Sequence, residues 1–142
     1  MDNIQPPKAL GVDFGDKRLG LAITSLSAKL PEPYLTLIID NNIFKTLKQI
    51  ITSENIKNVI VGMPRSLSGQ DTDQTSKTKD FIDNLKKEVK IPIIEKDETL
   101  TSVKAEEELN SIGQQYKKTD IDALSAVYIL EDWLREDYKS NG

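Results

Sequence analysis

Residues 9–14 and 19–24 are two short, largely apolar runs separated only by Gly15-Asp16-Lys17-Arg18, a connection that suits a hairpin and leaves no room for a crossover. A third strand pattern follows at 34–39, behind Pro31 and Pro33, which disfavour helix before it. Three strands joined without an intervening helix therefore open the chain, and only afterwards does the apolar period change. Ile43, Phe44, Leu47, Ile50 and Ile51 share one face of a helix, with Asp40 or Asn41 as its expected cap. Val59-Ile60-Val61, bounded by Gly62 and Pro64, has the unbroken apolar character of a parallel strand covered on both faces. Residues 65–74 carry almost no apolar side chain and read as a flexible loop. Phe81, Ile82, Leu85 and Val89 then mark a second helix, and Ile91-Pro92-Ile93-Ile94 a fifth strand whose proline fits a sheet edge or a strand start. A third helix is expected over 101–111, with Ala105, Leu109 and Ile112 on one face and Gly113 as its stop. The last begins near Thr119 and carries Ala123, Val127, Leu130 and Leu134 beside Ala126 and Trp133. This order predicts one α/β domain over residues 1–142, a mixed five-stranded sheet flanked by helices.

Composition narrows the chemistry. The chain of 142 residues has neither cysteine nor histidine, which excludes disulfides, thiolate zinc sites and imidazole catalysis. Any catalysis must rest on carboxylates, hydroxyls, lysine or arginine. A hydrophobic share of 37% suits an ordinary soluble domain with a core of its own. The first residues lack the basic stretch and apolar run of a secretory signal, and no segment approaches the roughly 20 apolar residues of a membrane span, so a cytoplasmic protein without membrane partners is expected. The formal charge of −4 argues against bulk attraction to nucleic acid, leaving recognition to local basic groups or bound cations.

Three carboxylates stand out by position. Asp13 ends the first strand inside Gly11-Val12-Asp13-Phe14-Gly15, among residues that should be buried, and Glu98 ends the fifth. Asp122 sits near the start of the last helix, in Thr119-Asp120-Ile121-Asp122. Each has a plain alternative: a turn aspartate, a solvated acidic turn, and a capping box with Thr119. Brought together at the carboxyl rim of the sheet they would repel, and a divalent cation resolves that conflict. Mg²⁺ and Mn²⁺ prefer such oxygen donors and support phosphodiester chemistry without histidine. Lys17, Arg18 and Arg65 lie near the same inferred rim, where they would contact phosphates, with ordinary surface charge as the alternative.

These residues also fall into motifs. Gly11-Val12-Asp13-Phe14-Gly15 with Arg18, Gly20 and Ala22, then Val61-Gly62-Met63-Pro64 with Gly69, then Asp97-Glu98-Thr99-Leu100-Thr101, and finally Asp122-Ala123-Leu124-Ser125-Ala126-Val127 resemble, in order, the four motifs of the YqgF family. That family has the ribonuclease H-like fold, and its members are described both as pre-16S rRNA nucleases and as Holliday junction resolvases. The resemblance implies Asp13, Glu98 and Asp122 as metal-binding, catalytic carboxylates. It also implies an endonuclease acting on structured nucleic acid, with precursor rRNA and the small-subunit precursor as partners. Branched DNA is the alternative substrate, monomer and homodimer both remain open, and a non-catalytic module binding nucleic acid or a transcription factor is the alternative role. A phosphotransferase of the actin-like superfamily would need two domains around ATP, for which 142 residues are too few. Three positions depart from the family pattern: Thr99 stands where arginine is common, Leu26 where an acidic residue follows the second strand's serine, and Ser68 before the loop glycine.

Overall fold

A computed structural model describes residues 5–66, 68–98, Glu107 and 118–141, the last helix with its side chains over 121–136. Five strands, β1 (Lys8–Phe14), β2 (Arg18–Ser25), β3 (Glu32–Ile38), β4 (Ile56–Pro64) and β5 (Ile93–Glu98), form one mixed sheet in the order β3-β2-β1-β4-β5. The opening meander is antiparallel, with Gly11 opposite Ala22 and Asp13 opposite Gly20. β4 and β5 run parallel to β1, with Gly11 beside Ile60 and Pro64 beside Glu98. The helices are α1 (Ile43–Ser53), α2 (Asp73–Glu88) and α3 (Lys118–Asn141). The helix expected over 101–111, with Gly113 as its stop, lies outside the described residues, as do Thr99, Leu100 and Thr101.

The two faces of the sheet are built differently. Leu10 and Val12 of β1, Leu19, Leu21 and Ile23 of β2, and Val59, Val61 and Met63 of β4 bury large side chains against Ile43, Leu47 and Ile50 of α1 and Phe81, Ile82 and Leu85 of α2. Phe14 and Phe44 stack on either side of Phe81, at centroid distances of 4.8 and 5.7 Å. The other face carries Ala9, Ala22 and Ile60, which meet Ala126, Val127, Ile129 and Leu130 of α3. Glycine recurs on this face. A Cβ on Gly11 would lie 2.6 Å from Leu130 Cγ and 2.8 Å from the Ala126 carbonyl, and one on Gly62 or Gly20 would collide with Ile129 or with the Asp122 backbone. α3 thus rests almost directly on the sheet backbone.

Several local expectations change. β3 starts earlier than 34 and takes Pro33 into the strand, which its edge position tolerates because a proline there breaks no internal ladder. β5 is the opposite edge and begins just after Pro92, as its proline suggested. α1 is not capped by the Asp40 or Asn41 side chain: Asn42 takes the cap position, and Asp40 Oδ1 instead accepts from the Asn42 N–H in a tight turn. The loop expected over 65–74 is shorter and more tied down. α2 already begins at Asp73 through a Thr72–Thr75 capping box, and Ser66 and Gln70 are bonded across Gly69. Polar bonds link the described residues of this segment. Among the described residues no helix is long and apolar enough to cross a membrane.

Gly20→Ala tests the α3 contact. The added methyl faces a helix backbone carbonyl rather than a flexible side-chain tip, so the variant should lose about 1–3 kcal/mol or more, seen as a lowered denaturant midpoint.

Candidate active site

Because β1, β4 and β5 are parallel, their carboxyl ends share one rim, where open α/β sheets place ligands. Side-chain alternation decides which residues face α3 there. Ala9 and Ile60 pack on α3, so Asp13, four residues on from Ala9, lies on the same face, and so does Gly62. Cross-strand pairing adds Gly20 and Arg18 from β2, and Lys96 and Glu98 from β5. Asp122 is brought over this group by α3, whose backbone at Asp122 sits in the space left by the missing Gly20 side chain.

The electrostatics follow from this crowding. Burial pushes the Asp13 carboxyl up from 3.8 to about 7, and the neighbouring Asp122 charge pushes in the same direction. Arg18 Nε donates to Asp122 Oδ2 at 2.7 Å. Glu98 is half-buried, with its Oε1 fully enclosed. Lys96, two residues before it, donates to Glu136 of α3 and feels the Glu98 and Asp132 charges, which together raise its pKa against the opposing effect of burial. A cleft of about 380 Å³ opens beside the Arg18–Asp122 pair, lined also by Gly15, Asp16 and Lys17.

The sequence-predicted residues are therefore distributed as follows. Asp13, Glu98 and Asp122 lie at one rim, and the Asp122 charge acts on Asp13. α3 includes both Thr119 and Asp122, and the Thr119 side chain of the expected capping box lies outside the described residues. Of the three basic residues, Lys17 lines the cleft, whereas the other two are held by carboxylates: Arg18 by Asp122, and Arg65 by Asp97 at 3.0 Å and by Asp71.

Sequence reasoning missed the supports of this rim. Gln74 Nε2 donates to the Phe14 carbonyl at 3.1 Å, and the Thr75 hydroxyl donates to the Pro64 carbonyl, so the first turn of α2 ties together the ends of β1 and β4. The available signal was the spacing of Thr72 and Thr75 around Asp73, a capping pattern in which threonine replaces the usual Glu or Gln.

The donor set suits a hard divalent cation: it consists of carboxylate oxygens, and a cation would offset both the burial and the repulsion that disfavour ionised Asp13. Among the described residues no three acidic side chains stand close enough to form a complete cation cage.

Residues 7–136 match the family described as RuvX, Holliday junction resolvase. The chain belongs to this family. It is 37% identical over 131 residues to a protein of Maridesulfovibrio salexigens named "Putative pre-16S rRNA nuclease", covering 89% of this chain and 97% of that one. A Sulfurihydrogenibium protein of the same name is 35% identical over 129 residues, covering 89% of each. Among solved structures, the RuvC of T. thermophilus in complex with Holliday junction substrate superposes with a TM-score of 0.52 at 11% identity, over 89% of this chain and 95% of that one. The fowlpox virus resolvase in complex with Holliday junction DNA gives 0.54 at 16% identity, over 91% and 97%. The fold of this RuvX-family chain is accordingly the ribonuclease H-like fold of those resolvases.

The Asp13 shift has a stability consequence with a definite sign. The folded state binds this proton more tightly than the unfolded chain does, so the contribution is present below about pH 3.8 and lost as pH rises through about 7. In EDTA, Asp13→Asn should remove this dependence and exceed wild-type stability at pH 8 by an amount on the order of a few kcal/mol. Denaturant midpoints at pH 5 and pH 8 check this, and a variant less stable than wild type at both would assign Asp13 a structural role.

Proposed function

We propose that this RuvX-family chain is a metal-dependent endonuclease that hydrolyses phosphodiester bonds in structured nucleic acid, with precursor 16S rRNA as its substrate. The observation that carries the reading is the placement of Asp13 and Asp122 against one another at the carboxyl rim of the sheet, where Asp13 is disfavoured as an isolated anion. The names of the relatives supply the substrate class.

Asp13 and Asp122, with Glu98, would hold Mg²⁺ or Mn²⁺, which when bound lowers the pKa of a water and stabilises charge developing on phosphate oxygens. The remaining work falls to the chain itself. Lys17 and the Gly15–Arg18 hairpin line the cleft through which a nucleic-acid backbone reaches the carboxylates, and the ammonium of Lys17 attracts its phosphates. The Thr72–Thr75 capping box and Gln74 keep the β1 and β4 ends rigid, which preserves the alignment of Asp13 with the rim. Hydrolysis adds the oxygen of water to phosphorus and breaks the bond to the 3′ oxygen, leaving a 5′-phosphate and a 3′-hydroxyl. With a formal charge of −4, affinity must come from these few local contacts, and its salt dependence should be correspondingly shallow.

A second substrate is favoured by the family description and by the solved neighbours: a four-way DNA junction. The test is cleavage of precursor 16S rRNA and of a four-way junction, side by side, with Mg²⁺ or Mn²⁺. Wild type should cut the RNA to 5′-phosphate ends. Asp13→Asn and Asp122→Asn should each lose more activity than the roughly 10–100-fold typical of outer-shell partners of a metal site. Preferred cutting of the junction would transfer the assignment to DNA, and near-normal cleavage by Asp122→Asn would contradict the proposed site.

A further inference from the structure

Arg18 is spoken for. Its Nε–H points at Asp122 Oδ2, 2.7 Å away, rather than outward to a phosphate. The two side chains are 26% and 21% exposed, so water reaches both and the pair can open without stranding a dry charge. Its two halves are anchored differently. Asp122 is fixed from below, because its backbone fills the space above Gly20, whereas Arg18 begins β2 on a long side chain beside the cleft lined by Gly15, Asp16 and Lys17. Arg18 bonds only Oδ2 of Asp122, and a divalent cation on the same carboxylate repels the guanidinium and draws the carboxylate's charge away from it, so occupancy by one weakens the hold of the other.

On the metal-nuclease reading given above, we infer that Arg18 and the divalent cation compete for the Asp122 carboxylate, so that cation uptake releases Arg18 into the Gly15–Lys17 cleft, where its guanidinium contacts substrate phosphate. Arg18 is then a positioning residue that couples the two halves of the site. With the cation absent it screens Asp122 from Asp13, and with the cation present it becomes a second basic group beside Lys17. The guanidinium fork suits the phosphate contact, for which lysine is an imperfect substitute.

The experiment uses the full ¹⁵N-labelled chain and MgCl₂ alone, with the Arg18 Nε–H resonance assigned by its loss in Arg18→Lys. As Mg²⁺ is added, that proton should lose its protection from solvent exchange with the same midpoint that calorimetry gives for binding. Arg18→Gln, freed of the competitor, should bind Mg²⁺ about 10-fold more tightly than wild type. A purely structural ion pair would lower the stability of Arg18→Gln without moving Mg²⁺ affinity. Saturation by Mg²⁺ with the Arg18 signal unchanged overturns the proposal, and the wild-type titration decides this even if Arg18→Gln does not fold. Failure of both proteins to bind Mg²⁺ at all would instead remove the metal-nuclease reading itself, and the competition with it.

Discussion

The close seat of α3 over three glycines of the sheet, Gly11, Gly20 and Gly62, is the constraint on which the site depends. Helices usually stand about 10 Å from a sheet because side chains of both layers fill the gap; here Gly11, Gly20 and Gly62 leave no Cβ in the way, and the helix settles onto strand backbone. The opposite face, with Leu, Val, Ile and Met packed on α1 and α2, carries the bulk of the large apolar burial. That division lets one side of the sheet be rigid and apolar while the other is thin. Only a thin layer lets a helix residue, Asp122, come into electrostatic range of a strand residue, Asp13.

Charge on the thin side is arranged in opposed pairs that cross between sheet and helix. Arg18 of β2 meets Asp122 of α3, and Lys96 of β5 meets Glu136 of α3. These pairs link the two layers at two points along one helix segment. Asp13 is treated differently: burial and a neighbouring anion both favour its protonated form. A carboxyl raised in this way, at the carboxyl rim of a parallel sheet and beside a second carboxylate, is a poor structural group and a sensible ligand for a hard cation.

Much of the fold was legible because its signals are local. The short connection at Gly15–Arg18 predicts the β1–β2 hairpin, the change of period after Asp40 predicts α1, and Pro92 predicts the edge position of β5. The positions of Asp13 and Glu98 at strand ends followed from the same patterns. What the sequence did not reveal depends on contacts between distant segments or on unusual local chemistry. Nothing local connects Arg18 to Asp122, 104 residues apart, and pairing there turns an expected phosphate contact into an internal ion pair. Arg65 is likewise claimed by Asp71 and Asp97, the second of them 32 residues away. The start of α2 at Asp73 was hidden inside a polar stretch because its capping box uses two threonines, and helix and loop compositions are indistinguishable there.

On the proposed function, Asp13 and Asp122, with Glu98, hold a divalent cation. Anomalous diffraction from crystals equilibrated with Mn²⁺ addresses it directly, because the signal locates the metal without reference to activity. The account predicts a peak bonded to carboxylate oxygens of Asp13 and Asp122 that disappears in Asp122→Asn. Mn²⁺ bound only elsewhere on the chain, or a peak at this rim unaffected by loss of the Asp122 charge, would contradict it.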